Sequence, residues 1–84
     1  MDTTILIVTY KNEKTIHNLI KKFSNHYKII VVENSKNLAF KNELEKKYKN
    51  LSCILTYSNL GFSKACNIGL RKIKTKKTQI SCSN

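Results

Sequence analysis

Side chains that could bind a ligand follow three apolar runs of the sequence, at the point where each run ends. The runs cover residues 5–8, 29–32 and 51–57. A tyrosine ring can stack, a carboxylate can accept hydrogen bonds from a ribose diol or a base N–H, and an asparagine amide both donates and accepts. Together these residue types suit a nucleoside. They are Thr9, Tyr10, Glu33, Asn34, Ser58 and Asn59.

A polar residue after a strand is also common as a turn former or helix cap, so no single position carries this prediction. Glu33 is the strongest of the group, since it directly follows four β-branched residues. A carboxylate in that position has to be either solvated or engaged by a partner. We therefore expect Glu33 to contribute to a binding site.

The stretch from Asn59 to Gly69 contains both glycines of the sequence and two asparagines. A glycine just before an amphipathic segment lets the backbone turn with φ > 0. A glycine inside that segment costs about 1 kcal/mol relative to alanine, so Gly69 indicates close packing or a ligand. This stretch predicts a strand-to-helix junction that turns at Gly61.

Buried-type strands and amphipathic helices alternate along the chain. The apolar runs are rich in β-branched residues, which is typical of strands buried on both faces. Apolar residues recur at helical spacing between them and after the last run. The predicted helices run from Glu13 to Asn25 or His26, from the residue after Asn37 to Tyr48, and from Phe62 to Ile73.

This alternation predicts an α/β fold of the order β-α-β-α-β-α, with a Rossmann-like three-layer arrangement and a short parallel sheet. The carboxyl ends of parallel strands lie along one edge of the sheet, where ligands bind in open α/β folds. We expect the polar residues named above to meet there.

One domain is predicted over residues 1–75, because the chain has no proline and no internal repeat. Residues 76–84 carry a single large apolar residue, Ile80. We therefore expect a disordered basic and polar tail there, and no fourth buried strand.

Charge is the other strong feature of the chain. Its 16 Lys and Arg residues against 5 Asp and Glu give a net charge of +11, which would attract nucleic acid, an anionic membrane surface or a phosphorylated ligand. One alternative function is therefore a small basic nucleic-acid-binding α/β module. No RNP-type aromatic block or helix-turn-helix pattern supports it, so we do not expect nucleic acid as a partner. The cations that motivate it are Lys64, Arg71, Lys72, Lys74, Lys76 and Lys77.

Several other classes of protein are excluded by the sequence. No G-x-G-x-x-G follows the first run and no G-x-x-x-x-G-K-[ST] occurs, so the common dinucleotide and triphosphate cradles are absent. Three cysteines without a C-x-x-C pair support neither a disulfide framework nor a zinc ribbon. His17 and His26 have no partner at metal-ligand spacing, although a nucleophilic Cys–His pair stays possible from the sequence.

No apolar run is long enough for a transmembrane helix, and the chain starts without a basic signal-peptide region, so we expect a cytoplasmic protein.

Three blocks of the sequence carry a family resemblance. They are Val8-Thr-Tyr10 followed by Asn12, Val31-Val-Glu-Asn-Ser35, and Asn59-Leu-Gly-Phe-Ser-Lys-Ala-Cys-Asn-Ile-Gly69. The blocks resemble signatures of the family 2 glycosyltransferases with the GT-A fold, which are inverting enzymes that use nucleotide sugars and include many bacterial rhamnosyltransferases. The third block is the most specific, since it fits Asn-x-Gly-Phe-x-x-x-x-Asn-x-Gly. The resemblance covers residues 3 to about 74, which is the nucleotide-binding amino-terminal part of a GT-A domain.

The resemblance implies nucleotide-binding roles for residues of all three blocks. Thr9 and Tyr10 would line the nucleoside pocket, and Glu33 would replace the acid that contacts the base or ribose. Asn59 and Gly61 would lie against the nucleotide. The implied set is Thr9, Tyr10, Glu33, Asn34, Asn59, Gly61 and Asn67. The implied ligand is a UDP- or dTDP-sugar, and the implied acceptor is a polysaccharide or other glycan of the cell surface.

Two departures from the family pattern leave the choice of nucleotide open. Position 33 is glutamate where aspartate is commoner, and Lys11 lies where asparagine is frequent.

A larger departure concerns the catalytic acids. The family holds a divalent metal, Mg²⁺ or Mn²⁺, with an Asp-x-Asp motif and uses a later carboxylate as general base. This chain has no acid after Glu45, so we expect neither a catalytic residue nor a metal site in it. Truncation or a frameshift after Thr75 is the simplest explanation. We expect this chain to be inactive alone, and a complementing carboxyl-terminal polypeptide could supply what it lacks. Its expected location is the cytoplasm or the inner surface of the membrane.

Overall fold

Strands and helices alternate along the whole of the computed structural model, which describes residues 3–23 and 27–83. The strands are β1 (Thr3–Thr9), β2 (Lys28–Glu33), β3 (Leu51–Leu55) and β4 (Lys77–Ser83). The helices are α1 (Glu13–Lys21), α2 (Leu38–Lys47) and α3 (Phe62–Leu70). The predicted order is therefore confirmed through α3. The predicted end of the first helix, at Asn25 or His26, lies outside the described residues.

The strands form one parallel sheet in the order β3-β2-β1-β4. Its central strands β1 and β2 are in register from Ile5 beside Ile29 to Thr9 beside Glu33. Both are almost entirely buried, because helices cover the two faces of the sheet. Burial on both faces explains why residues 5–8 of β1 and 29–32 of β2 are apolar without interruption.

Side-chain alternation along β1 divides the core into two clusters. Ile5 and Ile7 lie on the face covered by α1 and α2, whereas Leu6 and Val8 lie on the face covered by α3. The helices contribute Ile16, Ile20, Phe40 and Leu44 to the first cluster, and Ala65 and Cys66 to the second. This is the predicted three-layer α/β arrangement.

The predicted disordered tail at residues 76–84 is wrong for residues 77–83, which form a fourth strand. That strand is not of the buried type over residues 77–80, which are exposed. Lys77–Ser83 forms β4, which pairs in parallel with β1 and places Ile80 beside Leu6. An edge strand needs main-chain partners more than buried side chains, and Ile80 is still 48% exposed. Thr75 helps to fix the entry to β4, because its hydroxyl lies 2.6 Å from that of Thr4. The domain boundary predicted at residue 75 would therefore separate β4 from the sheet to which it belongs.

The outer edge of β3 is closed by two side chains of α2. The Cys53 N–H donates to Glu45 Oε2 at 3.0 Å, and Lys41 Nζ donates to the Cys53 carbonyl oxygen at 2.5 Å. Lys41 and Glu45 also pair with each other at 3.1 Å. These contacts take up main-chain groups of β3 that would otherwise be open to another strand.

Candidate functional site

The carboxyl ends of β1, β2 and β3 are tied together by main-chain hydrogen bonds. The Asn34 N–H donates to the Thr9 carbonyl at 2.7 Å, and the Thr56 N–H donates to the Glu33 carbonyl at 3.2 Å. The Tyr57 N–H donates to the Ser35 carbonyl at 3.0 Å. The residues predicted after each strand therefore meet along one edge of the sheet, as parallel topology requires.

Glu33 is fully buried at this edge, and only one of its two carboxylate oxygens has hydrogen-bond partners among the described residues. Its Oε2 accepts from the Ser35 hydroxyl at 2.5 Å and from the Lys11 N–H at 3.3 Å. Its Oε1 has no hydrogen-bond partner within the described part of the chain, and neither has the buried hydroxyl of Thr9 beside it in the ladder. A buried polar atom without a partner costs about 1–3 kcal/mol. Two such atoms lie on neighbouring strands at the carboxyl edge of the sheet, the edge where ligands bind in open α/β folds.

Two backbone positions beside Glu33 adopt a conformation that is unusual for residues other than glycine. Lys11 has φ of 50° and Tyr57 has φ of 67°. The left-handed region costs roughly 1–2 kcal/mol for such residues. The turn at Lys11 directs its N–H to Glu33. Strained positions of this kind cluster where a site must hold a defined shape.

Asn34 points to the opposite face from Glu33 and holds the loop that leads into α3. Its amide nitrogen donates to Asn59 Oδ1 at 3.0 Å and to the Gly61 carbonyl at 3.3 Å. Its Oδ1 accepts from the Leu60 N–H and from the Thr56 hydroxyl, both at 2.9 Å. All four hydrogen-bonding capacities of this side chain are used within the protein, so Asn34 positions the wall of the site.

Three adjoining clefts form one crevice along this edge. The largest, about 420 Å³, is lined by Lys11, Glu13, Ser35, Lys36 and Asn37. One of about 160 Å³ shares Lys11, Ser35 and Lys36 with it and adds Tyr10, Asn34, Tyr57, Ser58 and Asn59. One of about 260 Å³ continues past Val8, Tyr10, Asn34, Asn59, Gly61 and Phe62. The crevice therefore combines aromatic rings, amides and two lysines, a set of groups that suits a nucleoside with phosphates.

The structure places four of the seven predicted residues on the lining of this crevice: Tyr10, Asn34, Asn59 and Gly61. Gly61 turns with φ of 84°, as its place before a helix predicts. Thr9 and Glu33 lie at the same sheet edge but are fully buried and line none of the three clefts, and Asn67 is exposed on α3 and also lines none of them. Sequence reasoning missed Lys36 and Tyr57 as lining residues. The available signal was that Tyr57 ends the third predicted run and Lys36 follows the turn residues 33–35 after the second.

The rest of the described structure gives little support for a nucleophilic cysteine or for a metal site. Burial raises the pKa of the Cys53 thiol to about 12, so it stays protonated at neutral pH. His17 lies between helices, with Nδ1 at 3.2 Å from the Tyr48 hydroxyl and Nε2 at 3.4 Å from Glu43 Oε2. Residues 3–23 and 27–83 contain no cluster of three His, Cys, Asp or Glu side chains that could hold a metal ion. His26 lies outside these ranges.

The sequence profile described as Glycosyl transferase family 2 matches residues 4–80. The chain belongs to this family. The match begins in β1 and extends into β4, so it includes every residue of the crevice and reaches past the predicted boundary at residue 75. The parallel sheet with three helices is consistent with the nucleotide-binding half of a GT-A domain in this family. No curated protein matches the chain.

Proposed function

We propose that this family 2 glycosyltransferase chain binds the nucleotide of a UDP- or dTDP-sugar in the crevice at the carboxyl ends of its strands. The observation that carries the proposal is the pair of unpartnered buried atoms, Glu33 Oε1 and Thr9 Oγ1. A ribose diol or a pyrimidine N–H donates hydrogen bonds of the kind that such oxygens lack. The family membership supports nucleotide-sugar use in general.

Each wall of the crevice has its own role in this proposal. The unpartnered oxygens of the buried Thr9 and Glu33 would accept hydrogen bonds from the nucleoside at the base of the crevice, and the half-exposed ring of Tyr10 would stack on it. Asn59 and Gly61 form the wall on the α3 side, held by Asn34. Lys11 and Lys36 lie in the largest cleft, where their charges would attract the diphosphate.

We also propose that the chain does not transfer sugar alone. Mg²⁺ and Mn²⁺ need several oxygen ligands, whereas the acids near the crevice are Glu33 and Glu13. Glu33 Oε2 is taken by Ser35, and Glu13 Oε1 accepts from the Asn37 amide at 2.7 Å. This donor set does not fit the divalent metal expected for a complete family domain. In the proposal, metal ligands and the base that activates a glycan acceptor come from a complementing polypeptide.

The proposed location is the cytoplasm, at the inner surface of the membrane. No helix in the described part of the chain is long and apolar enough to cross a bilayer.

Titration of the ¹⁵N-labelled chain with UDP tests the binding proposal. We expect amide shifts at Thr9, Glu33 and Asn59 that saturate at millimolar nucleotide or below. Glu33→Gln removes the carboxylate but keeps the size of the side chain, so it should weaken UDP binding about tenfold or more. The matched control is Glu43→Gln on α2, which should bind as the wild type does. Unshifted crevice amides at millimolar UDP would refute the binding proposal.

The inactivity proposal has a separate test. The purified chain is incubated with UDP-glucose and Mn²⁺, and free UDP is measured by chromatography. We expect no release above the protein-free control. Release that disappears in Glu33→Gln would show that the chain turns over donor by itself.

A further inference from the structure

The edge of the sheet opposite the crevice carries most of the positive charge. This edge consists of the last helical turns, the segments that follow them, and the first residues of the next strands. Eleven of the sixteen Lys and Arg residues lie there, all of them exposed. We call them the basic edge. They are Lys21, Lys22, Lys28, Lys46, Lys47, Lys49, Arg71, Lys72, Lys74, Lys76 and Lys77.

Among the described residues, a single acid comes near the basic edge. Glu45 lies in the last turn of α2, but its carboxylate is directed to the Cys53 N–H and to Lys41. The Glu45 carboxylate therefore interacts with groups at the middle of β3 and with Lys41, and it does not neutralise the cations of the basic edge. The potential of the basic edge is left largely uncompensated.

Helix dipoles explain part of this distribution. Cations in a last helical turn interact favourably with the carbonyl end of the helix, and α1 and α2 have Lys21, Lys46 and Lys47 there. However, α3 has no basic residue in its last turn. Its five cations follow the helix, over residues 71–77. Helix stability therefore explains Arg71, the C-cap of α3, and leaves the other four cations of this densest part unexplained.

A cleft of about 360 Å³ opens where this dense segment approaches β2 and β3. Four lysines line it, together with Glu45, Ile30, Ser52, Cys53 and Ile54. The lysines are Lys28, Lys41, Lys72 and Lys74. Like charges brought together in this way repel one another, and an anion in the cleft would relieve the repulsion.

The chemistry of the basic edge favours a fluid anionic surface over a discrete phosphate site. Ten of its eleven cations are lysines, which act as flexible point charges, and Arg71 alone has the rigid fork that grips one phosphate. Helix carboxyl ends present carbonyl oxygens, whereas phosphate cradles use the N–H groups of helix amino ends. Both features suit many weak contacts with mobile headgroups.

We propose that the basic edge docks this chain on a membrane leaflet of anionic phospholipids. The inference deepens the proposed location at the inner membrane surface and is independent of nucleotide binding. Each lysine close to an anionic leaflet is worth about fivefold in affinity. Simultaneous contact of a few of the eleven cations with the leaflet is therefore enough for reversible attachment.

Docking in this way leaves the crevice free. β1 has 7 residues, which at about 3.3 Å each place the two edges roughly 20 Å apart. That distance is about two and a half times the Debye length at physiological salt, so Lys11 and Lys36 at the crevice contribute little to the contact. The crevice faces away from the bilayer and stays accessible to a soluble ligand.

Sedimentation with vesicles tests the proposal. Vesicles of phosphatidylcholine with phosphatidylglycerol should bind the chain, and vesicles of phosphatidylcholine alone should not. Lys74→Gln/Lys76→Gln should weaken binding about 25-fold. The matched control, Lys14→Gln/Lys64→Gln, has the same net charge but changes exposed residues in the first turns of α1 and α3. It should weaken binding less than threefold.

Three outcomes would overturn the proposal. Equal losses in the two double variants would show that net charge alone attracts the chain. Displacement from vesicles by millimolar inorganic phosphate would indicate a discrete phosphate site in the lysine cleft. Tight binding of single-stranded RNA that persists above about 200 mM salt and is lost in Lys74→Gln/Lys76→Gln would make nucleic acid the partner.

Further controls separate docking from folding and from nucleotide binding. Circular dichroism should show that both double variants are folded. Lys74→Arg/Lys76→Arg keeps the charges and should bind vesicles as the wild type does. Glu33→Gln should do so as well, so failure of UDP binding and failure of docking are distinguishable.

Discussion

Gly69 of α3 packs directly against Leu6 of β1. A Cβ added to Gly69 would lie 2.4 Å from Leu6 Cδ1 and 3.0 Å from Val32 Cγ2. Leu6 is fully buried, so its side chain has little room to move aside. The glycine is therefore required by close packing between helix and sheet, which is one of the two explanations that its place inside a helix suggests.

We expect Gly69→Ala to lower the free energy of unfolding by about 1–3 kcal/mol, because it overpacks the contact with Leu6. Helix propensity alone predicts the opposite sign, a gain of about 1 kcal/mol. Chemical denaturation of the wild type and the variant decides between the two. Adding Leu6→Val should recover part of the loss, and an additive double variant would show that the two residues are not in contact.

The same contact shows what sequence patterns can and cannot predict. The spacing of Ala65, Cys66 and Gly69 predicts which side of α3 faces the sheet, since helical periodicity is a local property. The strand at Lys77–Ser83 is not predictable in this way, because its stability comes from main-chain pairing with β1, which lies far away in the sequence. An edge strand with exposed polar side chains has no hydrophobic pattern to reveal it.

Lys11 provides a test of backbone strain at the crevice. Its φ of 50° lies in the left-handed region, where asparagine is better tolerated than lysine. We expect Lys11→Asn to raise the free energy of unfolding by about 0.5 kcal/mol, since relief of strain exceeds the loss of the Lys11 contact with the Tyr10 ring.

UDP affinity should fall in the same Lys11→Asn variant, because a cation leaves the cleft. Thermal unfolding and UDP titration measure the two effects. Lys14→Asn, in the first turn of α1, is the control and should be slightly destabilising. A Lys11→Asn variant that is less stable than the wild type would argue against strain.

The crevice itself was only partly predictable from sequence. Parallel topology places Glu33 and Asn34 at one edge, so their proximity to Thr9 follows from the strand pattern. Consecutive residues of a strand point to opposite faces, and which of them is left without a partner depends on the loops that return to the edge. Those loops leave Glu33 Oε1 unpartnered and occupy Asn34 completely.

Glu45 makes the stability of the fold depend on pH. Partial burial alone would raise the pKa of this carboxyl, but hydrogen bonds from the Cys53 N–H and from Lys41, with the charge of Lys41, lower it below its ordinary value of 4.5. A lowered folded pKa means that the stabilisation is complete above the ordinary pKa and is lost as the pH falls through the folded value.

Glu45→Gln should therefore lower the melting temperature at pH 7, and this effect should shrink as the pH falls through the lowered pKa of Glu45, below which the wild-type carboxyl is also neutral. The side chain is 36% exposed, so solvent screening keeps the expected loss at pH 7 to about 1 kcal/mol. Melting curves across this pH range measure the difference. Glu43→Gln is the matched control on the same helix. A difference that stays constant with pH would show that charge is not involved.

Asn34 offers the sharpest test of how the crevice wall is held. Asn34→Ala removes the acceptor of the Leu60 N–H, so we expect faster hydrogen exchange at Leu60, a loss of about 2 kcal/mol in stability and weaker UDP binding. Asn34→Asp keeps that acceptor and should retain slow exchange at Leu60, although it loses the donors to Asn59 and Gly61. The control is Asn37→Ala, which removes the cap at the Phe40 N–H and should destabilise α2 by about 1 kcal/mol without changing exchange at Leu60. Exchange at Leu60 that is as slow in Asn34→Ala as in the wild type would show that the wall does not depend on this side chain.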